Sequence, residues 1–174
     1  MPRSPVIAQI CKPQKGNIDF WTPEEYRKFS EHIKDNIELY TAFEILFYTG
    51  MRKGELLALT MNDIDFQAKK IRINKTLAYV HGEYIMQPPK TEQSNRVIDV
   101  PEFLLAEIRN YTDKLYHLDP DQRIFPRSRV WLGQAITRIC PAIDLKIIRV
   151  HDLRHSHVSL SQGYFWDSLS DCLR

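Results

Sequence analysis

Apolar residues recur at helical spacing in the first third of the chain, alternate in the middle, and return to helical spacing beyond it. Leu39, Ala42, Phe43 and Leu46 fall at i, i+3, i+4 and i+7, the stripe of an amphipathic helix, and Gly50 is placed to end it as a C-terminal cap. Ahead of it, Thr22-Pro23-Glu24-Glu25 has the form of a capping box with proline at the first helical position, predicting a helix to about Lys34. A third, short helix is expected around Gly54 to Leu59, stopping before an Asn62-Asp63 turn. Lys70 to Val80 is rich in β-branched and aromatic residues, with a turn at His81-Gly82-Glu83. Glu83 to Met86 and Arg96 to Val100 read as two further strands, and the polar stretch Pro88 to Asn95 between them as a hairpin tip. Helix resumes at Pro101 with Leu104, Ile108, Tyr111 and Leu115 on one face; another covers Val130 to Ile139, and a last begins near Asp152, carrying Leu153 and Leu160 inward. The expected fold class is α+β, mostly helical with a small three-stranded antiparallel sheet.

Residues 1–20 hold Pro2, Pro5, Pro13 and Gly16 with little periodicity and read as a linker or arm; residues 21–174 read as one domain. With 174 residues, 43% hydrophobic and 26% charged, the chain has the balance of a globular protein. It contains neither a long apolar run nor a convincing secretory signal. Three scattered cysteines (Cys11, Cys140, Cys172) suit neither a disulfide framework nor a zinc cluster, so a cytoplasmic setting is expected. Net charge is only +2, but from Gln122 to Arg154 seven cations face two anions, a local excess of +5 suited either to a phosphate backbone or to a plain solvated face.

Two short segments carry candidate chemistry. In Thr49-Gly50-Met51-Arg52-Lys53-Gly54-Glu55, Arg52 stands in a helix-to-helix corner and Glu55, three residues on, is close enough to orient its guanidinium. In His151-Asp152-Leu153-Arg154, an i, i+3 spacing on a helix points imidazole and guanidinium to the same side. His151 and His155 also have the spacing of two metal ligands, but no HExxH glutamate lies between them and no third ligand is suggested nearby, so no metal site is assigned. His157 shares its spacing with Leu153 and Leu160 and reads as a core histidine.

In order and context these pieces resemble the catalytic domain of the tyrosine recombinases, the phage-type integrases, over about Phe20 to Leu160. That pattern has T-G-x-R-x-x-E-x-x-x-L, matched by Thr49, Gly50, Arg52, Glu55 and Leu59. It continues with a lysine in a β-hairpin, matched by Lys90 with Thr91, Ser94 and Arg96 behind it, and then H-x-x-R, matched by His151 and Arg154. The resemblance implies that Arg52, Lys90 and Arg154 bind a DNA phosphate, with the two arginines clamping its non-bridging oxygens. Lys90 would be the general acid, His151 would assist at the phosphate, and Glu55 would support Arg52. It further implies a covalent 3′-phosphotyrosine intermediate, hence no ATP, metal or other cofactor and no small-molecule substrate. Double-stranded DNA is the implied partner, met as a homo-oligomer, a tetramer at synapsis.

The sequence departs from the pattern after Arg154. The family continues with a second histidine or tryptophan, commonly after Leu-Gly, and then the tyrosine nucleophile. Here no Leu-Gly-His follows, Tyr164 lies too near Arg154, and Trp166 comes early for the second position. Residues 1–20 are also too few for the core-binding domain that such integrases carry in front. The chain is therefore expected to be an incomplete catalytic domain, inactive alone and lacking the nucleophile. The alternative is a non-catalytic DNA-binding remnant that occupies sites or pairs with an intact copy. Type IB topoisomerases share the chemistry, but the segments around Arg52 and Lys90 look more like the integrases.

Overall fold

The computed structural model describes residues 20–89 and 94–154. Helix α1 (Pro23–Ile33) starts from a complete capping box: the Thr22 hydroxyl accepts from the Glu25 amide at 3.2 Å, and Glu25 Oε2 accepts from the Thr22 amide at 2.8 Å. Helix α2 (Ile37–Thr49) is capped by the Asn36 side chain, which accepts from the Leu39 amide. It ends at Gly50, whose φ of 60° lets its amide close back onto the Leu46 carbonyl. Leu39, Ala42, Phe43, Ile45, Leu46 and Phe47 are all buried, which makes α2 the central helix of the fold. Against it pack α1, the short helix α3 (Lys53–Leu56) and α4 (Glu102–Thr112), and α5 (Trp131–Ile139) contributes to the same core. Trp21, fully buried, donates its indole N–H to the Lys146 carbonyl and fastens the start of α1 to the segment that leads to His151.

The α+β class holds, with mostly helical structure and small antiparallel sheets, but the strands are arranged differently from the expectation. Lys70 to Val80 is two strands: β2 (Lys70–Ile73) and β3 (Thr76–Val80). Between them Lys75 turns back to Asp63, 2.7 Å from Oδ2, and to the Thr60 hydroxyl at 3.0 Å. β2 lies between β1 (Ile64–Asp65) and β5 (Arg96–Asp99), forming the three-stranded sheet. β3 instead forms its own two-stranded hairpin with β4 (Glu83–Gln87). The hairpin turns on His81 and Gly82, both at positive φ (51° and 91°), the backbone that a two-residue connection favours. β4 pairs with β3 and β5 pairs with β2, so the stretch from Pro88 to Asn95 joins two sheets and is not the tip of a hairpin. The three-stranded sheet buries one face: in β2, Ile71 and Ile73 point inward while Lys70 and Arg72 point out. The last expected helix begins as a 3-10 turn, Val150–Asp152, with Leu153 buried behind it. Leu160 lies outside the described residues.

Candidate functional site

The site is built on the corner between α2 and α3. Gly50 reverses the chain, Met51 is buried, and Arg52 takes the N-cap position of α3. Glu55, at the third helical position, reaches back to Arg52 twice. Its Oε2 accepts from the Arg52 amide at 2.8 Å and its Oε1 from Arg52 Nη1 at 2.9 Å. The corner also needs glycine at position 54. A Cβ there would lie 2.5 Å from Thr76 Oγ1 and 3.3 Å from the Leu77 carbonyl oxygen, so only a missing side chain lets α3 lie this close to β3.

A second arginine reaches Glu55 from across the fold. Arg96, first residue of β5, donates from Nη2 to Oε2 at 2.8 Å and from Nη1 to Oε1 at 3.1 Å. Burial alone would raise the Glu55 pKa, but the hydrogen bonds from Arg96 and then Arg52 outweigh it and hold the carboxyl below its ordinary range. Arg154 completes the group. It follows the Val150–Asp152 turn, which is fixed by Arg149 gripping Asp152 from Nε at 2.9 Å and Nη2 at 3.1 Å. Burial, then the like charges of Arg52 and Arg96, hold the Arg154 pKa below the usual arginine value, while Glu55 acts in the other direction. Three guanidinium groups and one carboxylate thus share one electrostatic neighbourhood. Arg154 Nη1 is buried and has no hydrogen-bond partner among the described residues.

Beside the cluster opens a cavity of about 1060 Å³. Arg52 and His151, far apart in the sequence, line it together with Lys53, Arg129, Arg138 and Arg149. None of its lining residues is acidic. Burial and the neighbouring Arg129 charge hold the Lys53 ammonium below its usual pKa range. This is a concave surface of one charge sign, with a low-dielectric wall of Val130, Ile147 and Ile148, the kind of surface that concentrates anions.

Of the residues singled out in the sequence, Arg52, Glu55 and Arg154 gather at one place, and His151 lines the same cavity as Arg52. Lys90 lies outside the described residues, as do His155, His157, Tyr164 and Trp166. Among the described residues no three His, Cys, Asp or Glu groups gather as metal ligands would. Arg96 was visible in the sequence only as a neighbour of Lys90. The signal that could have found it is the alternation of β5: Arg96 shares a face with the half-buried Ile98, and an inward-facing arginine needs a carboxylate.

This fold is that of a tyrosine recombinase catalytic domain. The chain belongs to the phage integrase family, whose model matches residues 19–160. It is 33% identical to the ICEBs1 integrase of Bacillus subtilis (strain 168) over 160 residues, 84% of this chain but 44% of that protein, so it spans less than half of that relative's length. A tyrosine recombinase XerC-like protein of Caldanaerobacter subterraneus is 32% identical over 106 residues, 56% of this chain and 27% of that one. Among solved structures, the Tn1549 transposon integrase in complex with circular intermediate DNA superposes with a TM-score of 0.72 at 23% identity, over 90% of this chain and 58% of the other. A lambda integrase dimer bound to a COC′ core site superposes with a TM-score of 0.58 at 18% identity, over 89% of this chain and 56% of the other.

Proposed function

We propose that this chain binds duplex DNA and seats one backbone phosphate between Arg52 and Arg154, for site-specific cutting and rejoining through a 3′-phosphotyrosine. The observation that carries this reading is the buried Nη1 of Arg154, unpartnered among the described residues, in a cluster of three guanidinium groups and one carboxylate. A buried donor without an acceptor is costly, and like charges held together cost more, so such a group calls for an anion with several oxygens. A phosphodiester has two non-bridging oxygens and one negative charge. Attack on phosphorus adds a second charge to those oxygens, and donors already fixed in place stabilise that charge without reorganising.

In this reading a tyrosine hydroxyl gives up its proton to solvent or a neighbouring base and attacks the phosphorus, the bond to the 5′ oxygen breaks, and that oxygen leaves with a proton from Lys90. Glu55 orients Arg52, and His151, on the wall of the same cavity, hydrogen-bonds the phosphate or assists the proton transfer. The tyrosine comes from outside residues 20–154, on a later segment or another subunit. Two duplexes with two strands each need four such sites, so four copies would meet on DNA at synapsis. The lambda integrase dimer on its core site is one instance of copies meeting on DNA.

The first test is a duplex titration at two salt concentrations. Affinity should drop by at least about tenfold between about 50 and 200 mM salt, as release of counterions from several phosphate contacts requires. Binding that ignores salt, or none at all, contradicts the reading. The second uses a nicked suicide duplex: this chain alone should form no covalent adduct, and adding a C-terminal segment that carries the tyrosine should produce one. An adduct formed by this chain alone and abolished by Tyr164→Phe would place the nucleophile at Tyr164 instead.

A further inference from the structure

We infer that Arg96 is a positioning residue that shares the Glu55 carboxylate with Arg52, so that Glu55 can orient Arg52 without neutralising it. The inference rests on the phosphate-clamp reading above. It starts from the number of places at which Glu55 can accept. A carboxylate offers about four lone-pair positions. The structure gives Glu55 four donors: the Arg52 amide and Arg96 Nη2 on Oε2, and Arg52 Nη1 and Arg96 Nη1 on Oε1. Arg96 takes the two-pronged contact, the stronger and geometrically more demanding one. Arg52 is left with a single side-chain contact through Nη1, and its side chain, 48% exposed, lines the cavity with the other guanidinium donors unspent on Glu55.

Charge leads to the same conclusion. Arg52 and Glu55 alone would form a neutral pair, poor at attracting phosphate. With Arg96 in the set the trio is cationic, and it stays so because Glu55 is almost entirely buried and held ionised. Arg96 is itself well anchored, which a positioning role needs. Its backbone pairs opposite Ile73, its Nη1 also donates to the Ser94 carbonyl at 3.3 Å, and its side chain is only 25% exposed. Ser94 adjoins the segment that carries Lys90, so Arg96 also ties the backbone next to that segment to the Arg52 corner.

Without Arg96, two acceptor positions on Glu55 open and Arg52 can swing into a two-pronged pair with it, withdrawing from the cavity. The loss of phosphate binding should therefore act through Glu55. The test is a double-mutant cycle on binding to a 20-base-pair duplex of arbitrary sequence, with folding checked by thermal melting. Arg96→Met should weaken binding by about tenfold, the scale of one charge-assisted contact. In a Glu55→Gln background the same change should weaken it by less than about twofold. A second readout is the ratio of Arg96→Met to wild-type affinity at pH 5 and pH 8. The loss should shrink at pH 5, because Glu55, still buried but without Arg96, takes up a proton more readily and releases Arg52. Arg96→Lys, which keeps the charge but not the fork, should show the same pattern at smaller amplitude and replaces Arg96→Met if that variant melts early. Equal losses in both backgrounds, or a ratio unchanged by pH, overturn the inference while leaving the clamp intact. A wild-type chain that binds no duplex overturns the clamp itself.

Discussion

Arg52 and Arg154, far apart in the sequence, lie close enough for the Arg52 charge to act on Arg154, and among the described residues Glu55 offsets that charge and the charge of Arg96. Nothing local in the sequence brings the two arginines together. α2 and Gly50 place one, the Arg149–Asp152 turn places the other, and the common core of α2 and α5 holds both. Such an arrangement trades stability for function, because donors and charge are concentrated where the described residues do not satisfy them.

Arg154→Met should therefore move stability and binding in opposite directions. It removes a buried donor that has no partner among the described residues and relieves repulsion with Arg52 and Arg96, so unfolding free energy in urea should stay level or rise by about 1 kcal/mol. Duplex affinity should fall, and the slope of log affinity against log salt should flatten by about one phosphate contact. A variant that loses stability while keeping the wild-type salt slope would show that Arg154 has a structural partner.

Gly54→Ala tests the corner. The new Cβ would meet Thr76 Oγ1 at 2.5 Å and the Leu77 backbone oxygen at 3.3 Å, so α3 has to move away from β3. Overpacking of this kind costs about 1–3 kcal/mol. Arg52, as the N-cap of α3, should move with it, so duplex affinity falls beyond what the loss of stability explains. Equilibrium unfolding and DNA titration on the same sample separate the two effects.

Away from the site, Glu44 gives the protein a pH dependence. The residue is 4% exposed and forms no ion pair among the described residues; burial pushes its pKa up to about 7, against the lowering effect of the 2.8 Å hydrogen bond from Tyr26 and with some help from Glu107. The folded state therefore holds this proton more tightly than the unfolded chain. The resulting stability is fully present below the ordinary carboxyl value of 4.5 and is lost as pH rises through about 7. Over that window the contribution is roughly 3 kcal/mol at most. Glu44→Gln, which has no proton to lose, should flatten the urea midpoint between pH 5 and 8. A wild-type midpoint that rises across that window contradicts the assignment.

The local signals in the sequence proved reliable. The Thr22–Glu25 box, the Gly50 cap, the His81–Gly82 turn and the Arg52–Glu55 spacing each depend on residues within four positions of one another, and the structure has all of them. The sheet was harder to read, because Lys70 to Val80 has continuous strand composition. The break at Asn74–Lys75 exists because Lys75 leaves the ladder to pair with Asp63, a residue on the preceding turn. The pairing of β5 with β2 depends on a connection that bypasses the β3–β4 hairpin, and no short-range pattern encodes it. Arg96 was hidden for the same reason: its partner Glu55 lies 41 residues earlier in the chain.

The most direct test is a crystal structure of this chain with a short duplex, in which the distances from the bound backbone phosphates to Arg52 and Arg154 are measured. One phosphate should lie within about 3.2 Å of donors on both guanidinium groups, with Nη1 of Arg154 among them and Glu55 still held by Arg96. Arginines that contact separate phosphates, or DNA that lies across another face with Arg154 Nη1 still unpartnered, would contradict it.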